Sequence, residues 1–135
     1  MGIKENKAII LRFYDLYNRK EIDAAYELFA PDYIFHSPTG NMSREKVKQF
    51  DTMTLAGFPD LVCRIVDIVA EKDKVAFRVN AKGTHTGLFM DIAPTGKKFE
   101  MNNTWIVKII SKKWVEQWGT SEIPQMMQQL GAIPK

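Results

Sequence analysis

A chain of 135 residues, 45% hydrophobic and 26% charged, has the size of one domain (1–135) with a core of its own, and needs no disulfide or metal to hold it. Nineteen Lys and Arg against sixteen Asp and Glu leave a charge of +3, too small and too evenly spread to argue for nucleic acid. No run approaches the roughly 18 apolar residues of a membrane span, and charge follows at once in Met1-Gly2-Ile3-Lys4-Glu5-Asn6, where a signal peptide needs an apolar stretch. The expectation is a cytoplasmic protein with neither a membrane nor a nucleic-acid partner. Asn6 stands where a myristoylation signal after Gly2 requires Ser or Thr. The lone Cys63 has no partner in the chain for a disulfide and reads as a buried structural thiol.

In chain order, Ile9, Ile10, Phe13 and Tyr17 recur at helical spacing and predict an amphipathic helix over about 5–18. Ile22, Ala25, Leu28 and Phe29 repeat the pattern in a second helix, with Pro31 as its expected stop. A short strand over 33–36 runs into the turn formers Ser37-Pro38-Thr39-Gly40. Ser43 is placed to cap a third helix, which Gly57, Pro59 and Asp60 break. The period then changes from 3.6 to 2. Strands are predicted at 61–70, 74–85, 97–110 and 114–119, with turns at Glu71-Lys72-Asp73-Lys74 and Ser111-Lys112-Lys113. Pro124 to Leu130 reads as a last helix, with Gly131 at its C-terminal cap and Pro134 beyond. Helices followed by a long meander predict an α+β fold, with helices packed on one face of a curved sheet around a cavity.

Two histidines are the chain's only imidazoles. His85 shares strand parity with Val75, Phe77 and Val79, so its ring either has a buried partner or lines a pocket, and His36 ends a strand at a possible cavity rim. Together they make an acid–base hypothesis. On strand 97–110 the apolar odd positions Phe99, Met101, Trp105, Val107 and Ile109 are interrupted by Asn103, an amide that could orient a ligand carbonyl or satisfy a neighbouring strand. Seven Met, with eight Phe, three Trp and four Tyr, suit an adaptable apolar cavity. Two isolated His and no Cys cluster give no metal-ligand spacing, and no phosphate loop or nucleophile elbow occurs, so neither metal nor cofactor is expected.

Thr84-His85-Thr86-Gly87, Ile92-Ala93-Pro94-Thr95-Gly96-Lys97, Val115-Glu116-Gln117-Trp118 and Met127-Gln128-Gln129-Leu130-Gly131 together resemble the SnoaL-like polyketide cyclases. Phe29-Ala30-Pro31-Asp32-Tyr33 running into His36-Ser37-Pro38 fits the same family. The resemblance implies an NTF2-like (cystatin-like) α+β cone, a curved mixed or antiparallel sheet wrapped around N-terminal helices with a central pocket, commonly dimeric. It also implies aldol chemistry with an aspartate near the end of the last strand, a position that falls here on Gly119. The family's pocket histidine falls on Trp105 and its pocket amide on Asn103. The similar ketosteroid isomerases need an aspartate, a tyrosine and a protonated acid where this chain has Ser37, Phe13 and Trp105. Either the chemistry has moved to His36 and His85, or the protein binds without reacting.

The resemblance turns Val115 and Gln117 inward and leaves Trp114, Glu116 and Trp118 on the outer face, whereas burial alone would turn the tryptophans in. Both are met if a second subunit covers that face, which predicts a homodimer with Trp114 or Trp118 in the contact. The expected function is the binding of a small, largely apolar, carbonyl-bearing molecule, with Asn103, Trp105, Gln117 and Met101 as binding residues. Cofactor-free aldol cyclisation, isomerisation or hydration would use His36 or His85 as the base. A non-catalytic ligand-binding or assembly module is the alternative.

Overall fold

The computed structural model describes residues 2–132, which form α1 (Ile3–Asn18), α2 (Ile22–Tyr26), β1 (Phe29–Ser37), β2 (Gly40–Ser43), α3 (Arg44–Gly57), β3 (Val62–Glu71), β4 (Lys74–Thr84), β5 (Lys98–Ile110), β6 (Lys113–Thr120) and α4 (Ile123–Gln129). Ile10, Phe13, Leu16 and Tyr17 form the buried face of α1, at the spacing that one helical stripe requires. Lys20, at φ 66°, ends that helix, as its N–H reaches the Tyr17 carbonyl and that of Glu21 reaches Leu16. Ser43 caps α3 by accepting from the Lys46 N–H at 3.2 Å. Gly131, at φ 78°, follows α4, while Pro134 lies outside the described residues.

Pro31 is not a helix stop. The second helix ends at Tyr26, and Pro31 is the third residue of β1, within the register shift between Phe29 and Ile34. A residue without an N–H is tolerated where the ladder is already interrupted. The turn after β1 folds back as β2, a four-residue strand with no sequence signal of its own.

The six strands form one sheet in the order β2-β1-β6-β5-β4-β3. Every pairing is antiparallel except β1 with β6, so the sheet is mixed, and the two ends of the chain's strand sequence meet at its middle. Residues in register share a face. One row runs Phe35, Gln117, Val107, Val75, and others run Asn103, Val79, Ile65 and Met101, Ala81, Cys63. Val75 and Val107 are fully buried, which makes this the inner face, covered by the helices. The opposite face carries the row His36, Trp118, Ile106, Ala76, Val69.

The edge strand β3 has no strand beyond it. Asn18, the last residue of α1, takes that place with its side-chain amide, donating to the Cys63 carbonyl at 2.8 Å and accepting from the Cys63 N–H at 2.9 Å. An amide presents the same donor and acceptor as a peptide unit, so the helix is tied to the sheet by a two-bond mimic of a ladder step.

The orientation of Trp114 differs from the expectation. Glu116 pairs with Lys108 but Trp114 pairs with Ile109, so Val115 is an extra residue, and the bulge reverses the facing of everything before it. Gln117 therefore points in and Trp118 out, as the resemblance implies. Trp114 points in as well, stacked on Phe29 with centroids 4.6 Å apart and edge-on to Phe13 at 5.2 Å. Only 2% of it is exposed, so it belongs to the core of the single chain and is not available to a dimer contact. Trp114→Ala is expected to cost about 3–5 kcal/mol in urea denaturation. Trp118→Ala, on the open face, should cost less than half of that.

Candidate functional site

Gln117 is the most enclosed polar side chain of the inner sheet rows described above. Tyr33, from β1, donates its hydroxyl to the Gln117 Oε1 at 2.9 Å. That bond fixes the amide and leaves its NH2 without a partner among the described residues. Asn103 accepts from the Glu122 N–H at 3.0 Å through Oδ1, which ties β5 to the start of α4 and likewise leaves the NH2. Trp105, in the adjacent inner row, lies edge-on to Phe35 at 5.3 Å, and Met101 is buried in the core.

Position 119 has no room for a side chain. Gly119 adopts φ 141°, and a Cβ there would lie 2.2 Å from the Thr104 carbonyl oxygen and 2.8 Å from the Trp105 ring. The glycine and the tryptophan are one arrangement, since the ring fills the space that a residue at 119 would use.

The two histidines are not brought together. His36 lies in the outer row, its ring parallel to Trp118 with centroids 5.3 Å apart and its Nε2 2.8 Å from the Glu116 carboxylate. His85 is fully buried and packs on Phe58. Its backbone bonds to Lys97 and Gly96, and its Nδ1 meets the Thr95 hydroxyl at 3.0 Å and accepts from the Thr95 N–H at 3.3 Å. In the neutral ring this puts the proton on Nε2, which has no partner. Neither nitrogen of His85 then offers a free lone pair, and the imidazole holds the base of the 85–97 loop.

Sequence reasoning passed over Asp51. It lies on α3 at the inward spacing of Val47, Thr54 and Phe58, and accepts hydrogen bonds from the Tyr17 hydroxyl at 3.5 Å and from the Tyr26 hydroxyl. Tyr14 and Tyr33 are likewise pushed up, first by burial, with the Asp51 charge adding to it. Burial pushes the Asp51 carboxyl up to about 6 from an ordinary 3.8, against the opposing pull of the two phenol donors. The phenols themselves are pushed well above their ordinary range, first by burial and then by this carboxylate, so they remain donors. Burial, and then Asp51, pushes the Cys63 thiol up to about 12, which keeps it protonated. A signal existed: a carboxylate on the apolar stripe of a helix has to find donors somewhere.

Two open grooves mark the surface. One, of about 530 Å³, runs between α2 and α3 and is lined by Ile22, Leu55 and Pro59 among others. Thr52 and Leu55, next to Asp51 and one helical turn after it, line this groove, while Asp51 itself does not. The other, of about 520 Å³, lies between Asp60, Lys82, Lys98 and Gln129. Among the described residues no group of three or more His, Cys, Asp or Glu could hold a metal ion, and no helix is long and apolar enough to cross a membrane.

A mixed sheet folded over its helices, with amides on an otherwise apolar inner face, defines the NTF2-like class of α+β cones that take small molecules inside. Within that class the chain belongs to the SnoaL-like polyketide cyclases, whose sequence profile it matches over residues 7–130. It is similar to AclR, a candidate hydroxylase from Streptomyces galilaeus, at 28% identity and a TM-score of 0.92, covering 99% of this chain and 85% of that one. It is also similar to IdmH, a candidate polyketide cyclase from Streptomyces antibioticus, at 32% identity and a TM-score of 0.82, covering 93% and 98%. TsrD from Streptomyces laurentii, 20% identical with a TM-score of 0.86 over 98% and 99% of the two chains, shares the fold. No curated protein matches the sequence.

The raised Asp51 carboxyl gives stability a pH dependence of definite sign. Between pH 4 and 6 the folded chain holds a proton that the unfolded chain has released, so this contribution is full at low pH and is lost as pH rises toward 6. The change from 3.8 to about 6 corresponds to about 3 kcal/mol. Asp23, Glu45 and Asp60, whose carboxyls are lowered by hydrogen bonds, act in the opposite sense at lower pH. Urea denaturation at pH 4.5 and 7.5 is therefore expected to show that Asp51→Asn gains on the wild type at the higher pH.

Proposed function

We propose that the protein binds a small, largely apolar, carbonyl-bearing molecule inside the cone and acts on it by cofactor-free proton transfer, in the range of aldol cyclisation, isomerisation or hydration. The observation that carries this reading is the Tyr33–Gln117 pair, an amide oriented by a buried hydroxyl on a face otherwise made of Val75, Val107 and Phe35. Apolar walls with a few fixed donors are what recognition of a carbonyl requires. Asn103 adds a second amide on the same face, and Trp105 and Met101 supply apolar surface. The similarity to IdmH, a candidate polyketide cyclase, points to the same substrate class. The second reading, a ligand-binding module without chemistry, is favoured by the absence of any room for a carboxylate at position 119.

Of the two imidazoles, His36 is engaged with Glu116 on the outer face and His85 with Thr95, so neither supports this reading as its base. The binding part is tested with 2-tetralone, an apolar bicyclic ketone, by saturation-transfer NMR. Saturable binding that weakens about tenfold in Gln117→Leu, the equivalent of one hydrogen bond of about 1.4 kcal/mol, is the expected result. Equal affinity in the variant removes Gln117 from the site.

We also propose a homodimer through the outer sheet face. The row His36, Trp118, Ile106, Ala76, Val69 crosses five strands, and charged rows flank it, with Glu116, Lys108 and Lys74 on one side and Arg78 and Asp67 on the other. Ile106 and Val69 are 46% and 63% exposed, and an apolar stripe bordered by charges of both signs suits a self-complementary contact. Sedimentation velocity should give twice the chain mass for the wild type and the single mass for Trp118→Glu. A wild-type monomer would overturn the interface.

A further inference from the structure

We propose that the Asp51 carboxylate, held between the Tyr17 and Tyr26 hydroxyls, is the group that takes the proton from the carbon beside the ligand's carbonyl. The inference rests on the reading of the cone as a site for a carbonyl compound, and it supplies the base that reading lacks.

Three observations converge on it. Asp51 is a carboxylate at an inward position of α3, hydrogen-bonded to Tyr17 of α1 and Tyr26 of α2 rather than to a cation. Lys48, three residues before it, is tied instead to Asp23 at 2.7 Å. The remaining titratable groups that Asp51 influences, Tyr14 of α1, Tyr33 of β1 and Cys63 of β3, are all neutral. A carboxylate among neutral donors is a stronger base than one paired with Arg or Lys, because no opposite charge stabilises the ionised form. A purely structural acceptor for two phenols needs no charge; an asparagine would accept at lower desolvation cost. Tyr17 and Tyr26 are only 4% and 3% exposed, Asp51 is half-buried, and its chain neighbours Thr52 and Leu55 line the α2–α3 groove. Tyr33 also links the two halves of the site, since the hydroxyl that feels the Asp51 charge is the one that orients Gln117.

The step is balanced without a co-reactant. An Asp51 oxygen takes the α-proton, the C–H electron pair forms the carbon–carbon double bond of an enolate, and the carbonyl π pair moves to oxygen, where an amide NH2 of Gln117 or Asn103 donates. Return of a proton from the Asp51 carboxyl to carbon restores the ketone, and in an aldol closure the enolate carbon attacks a second carbonyl instead.

In D2O such an enzyme exchanges the α-protons of 2-tetralone, which ¹H NMR follows directly. Asp51→Asn should lower the protein-catalysed exchange by at least about 100-fold while saturable binding persists. Tyr26→Phe should move the pH midpoint of the exchange upward, because it removes a donor to the ionised carboxylate, a displacement that a structural role for Asp51 would not produce. Exchange unchanged in Asp51→Asn, or a wild type that binds the ketone without exchanging it, overturns the assignment and leaves the binding site standing. Absence of saturable binding overturns both.

Discussion

Because Glu116 is in register with Lys108 while Trp114 is in register with Ile109, Val115 is a surplus residue in β6, and the strand changes face at that point. The interior depends on this one irregularity. Before the bulge, Trp114 joins Phe13, Phe29 and Phe77 in an aromatic cluster that fixes α1 against the sheet. After it, Gln117 turns inward to meet Tyr33, and Trp118 is left outside beside His36. Without the extra residue either the tryptophan or the amide would have to face solvent, since side chains alternate strictly along an unbroken strand. Two positions later the strand passes so close to Trp105 that only glycine fits.

The polar groups inside the cone follow a consistent economy of charge. Tyr33 serves Gln117, while Tyr17 and Tyr26 serve Asp51. Phenols held far from ionisation donate without adding charge, so the half-buried Asp51 carboxylate is hydrogen-bonded but not neutralised by a partner. A cation in the same place would have stabilised the ionised form and made it inert as a base. The charged pairs lie elsewhere, at the surface, as in Lys48 with Asp23 and Arg78 with Asp67.

Much of the fold is legible in the sequence, and the exceptions have physical causes. The 3.6-residue spacing of Ile10, Phe13 and Tyr17 and the alternation of Val75, Phe77 and Val79 reflect burial directly, and both elements are where their patterns indicate. Pro31 misleads because its restriction on the preceding residue suits a strand as well as a helix end. The facing of Trp114 could not be read, since a bulge leaves no mark in a pattern of hydrophobic residues. Asn103 is visible as a polar interruption on an apolar parity, whereas Gln117 is named through the family resemblance, since burial alone would turn the tryptophans of its strand inward. His36 misled because its strand, as read, was too short to establish which parity faces in. Asp51 was hidden for a different reason: an acidic residue on a helix usually faces water, and its partners Tyr17 and Tyr26 are 34 and 25 residues away.

The parallel pairing of β1 with β6 has a consequence for how the molecule comes into being. Residues 29–37 have no inner neighbour until residues 113–120 have been made, because β6 separates β1 from the rest of the sheet. During synthesis, the hairpin of β3 and β4 and its extension to β5 can form from local contacts, but the N-terminal strand must wait for nearly the whole chain. Such non-local closure is slow relative to hairpin formation. The interior of the cone, which needs Tyr33 from one end and Gln117 from the other, is thus the last part of the protein to form, and a truncated chain ending before β6 would display half a cone with its aromatic lining open to the solvent.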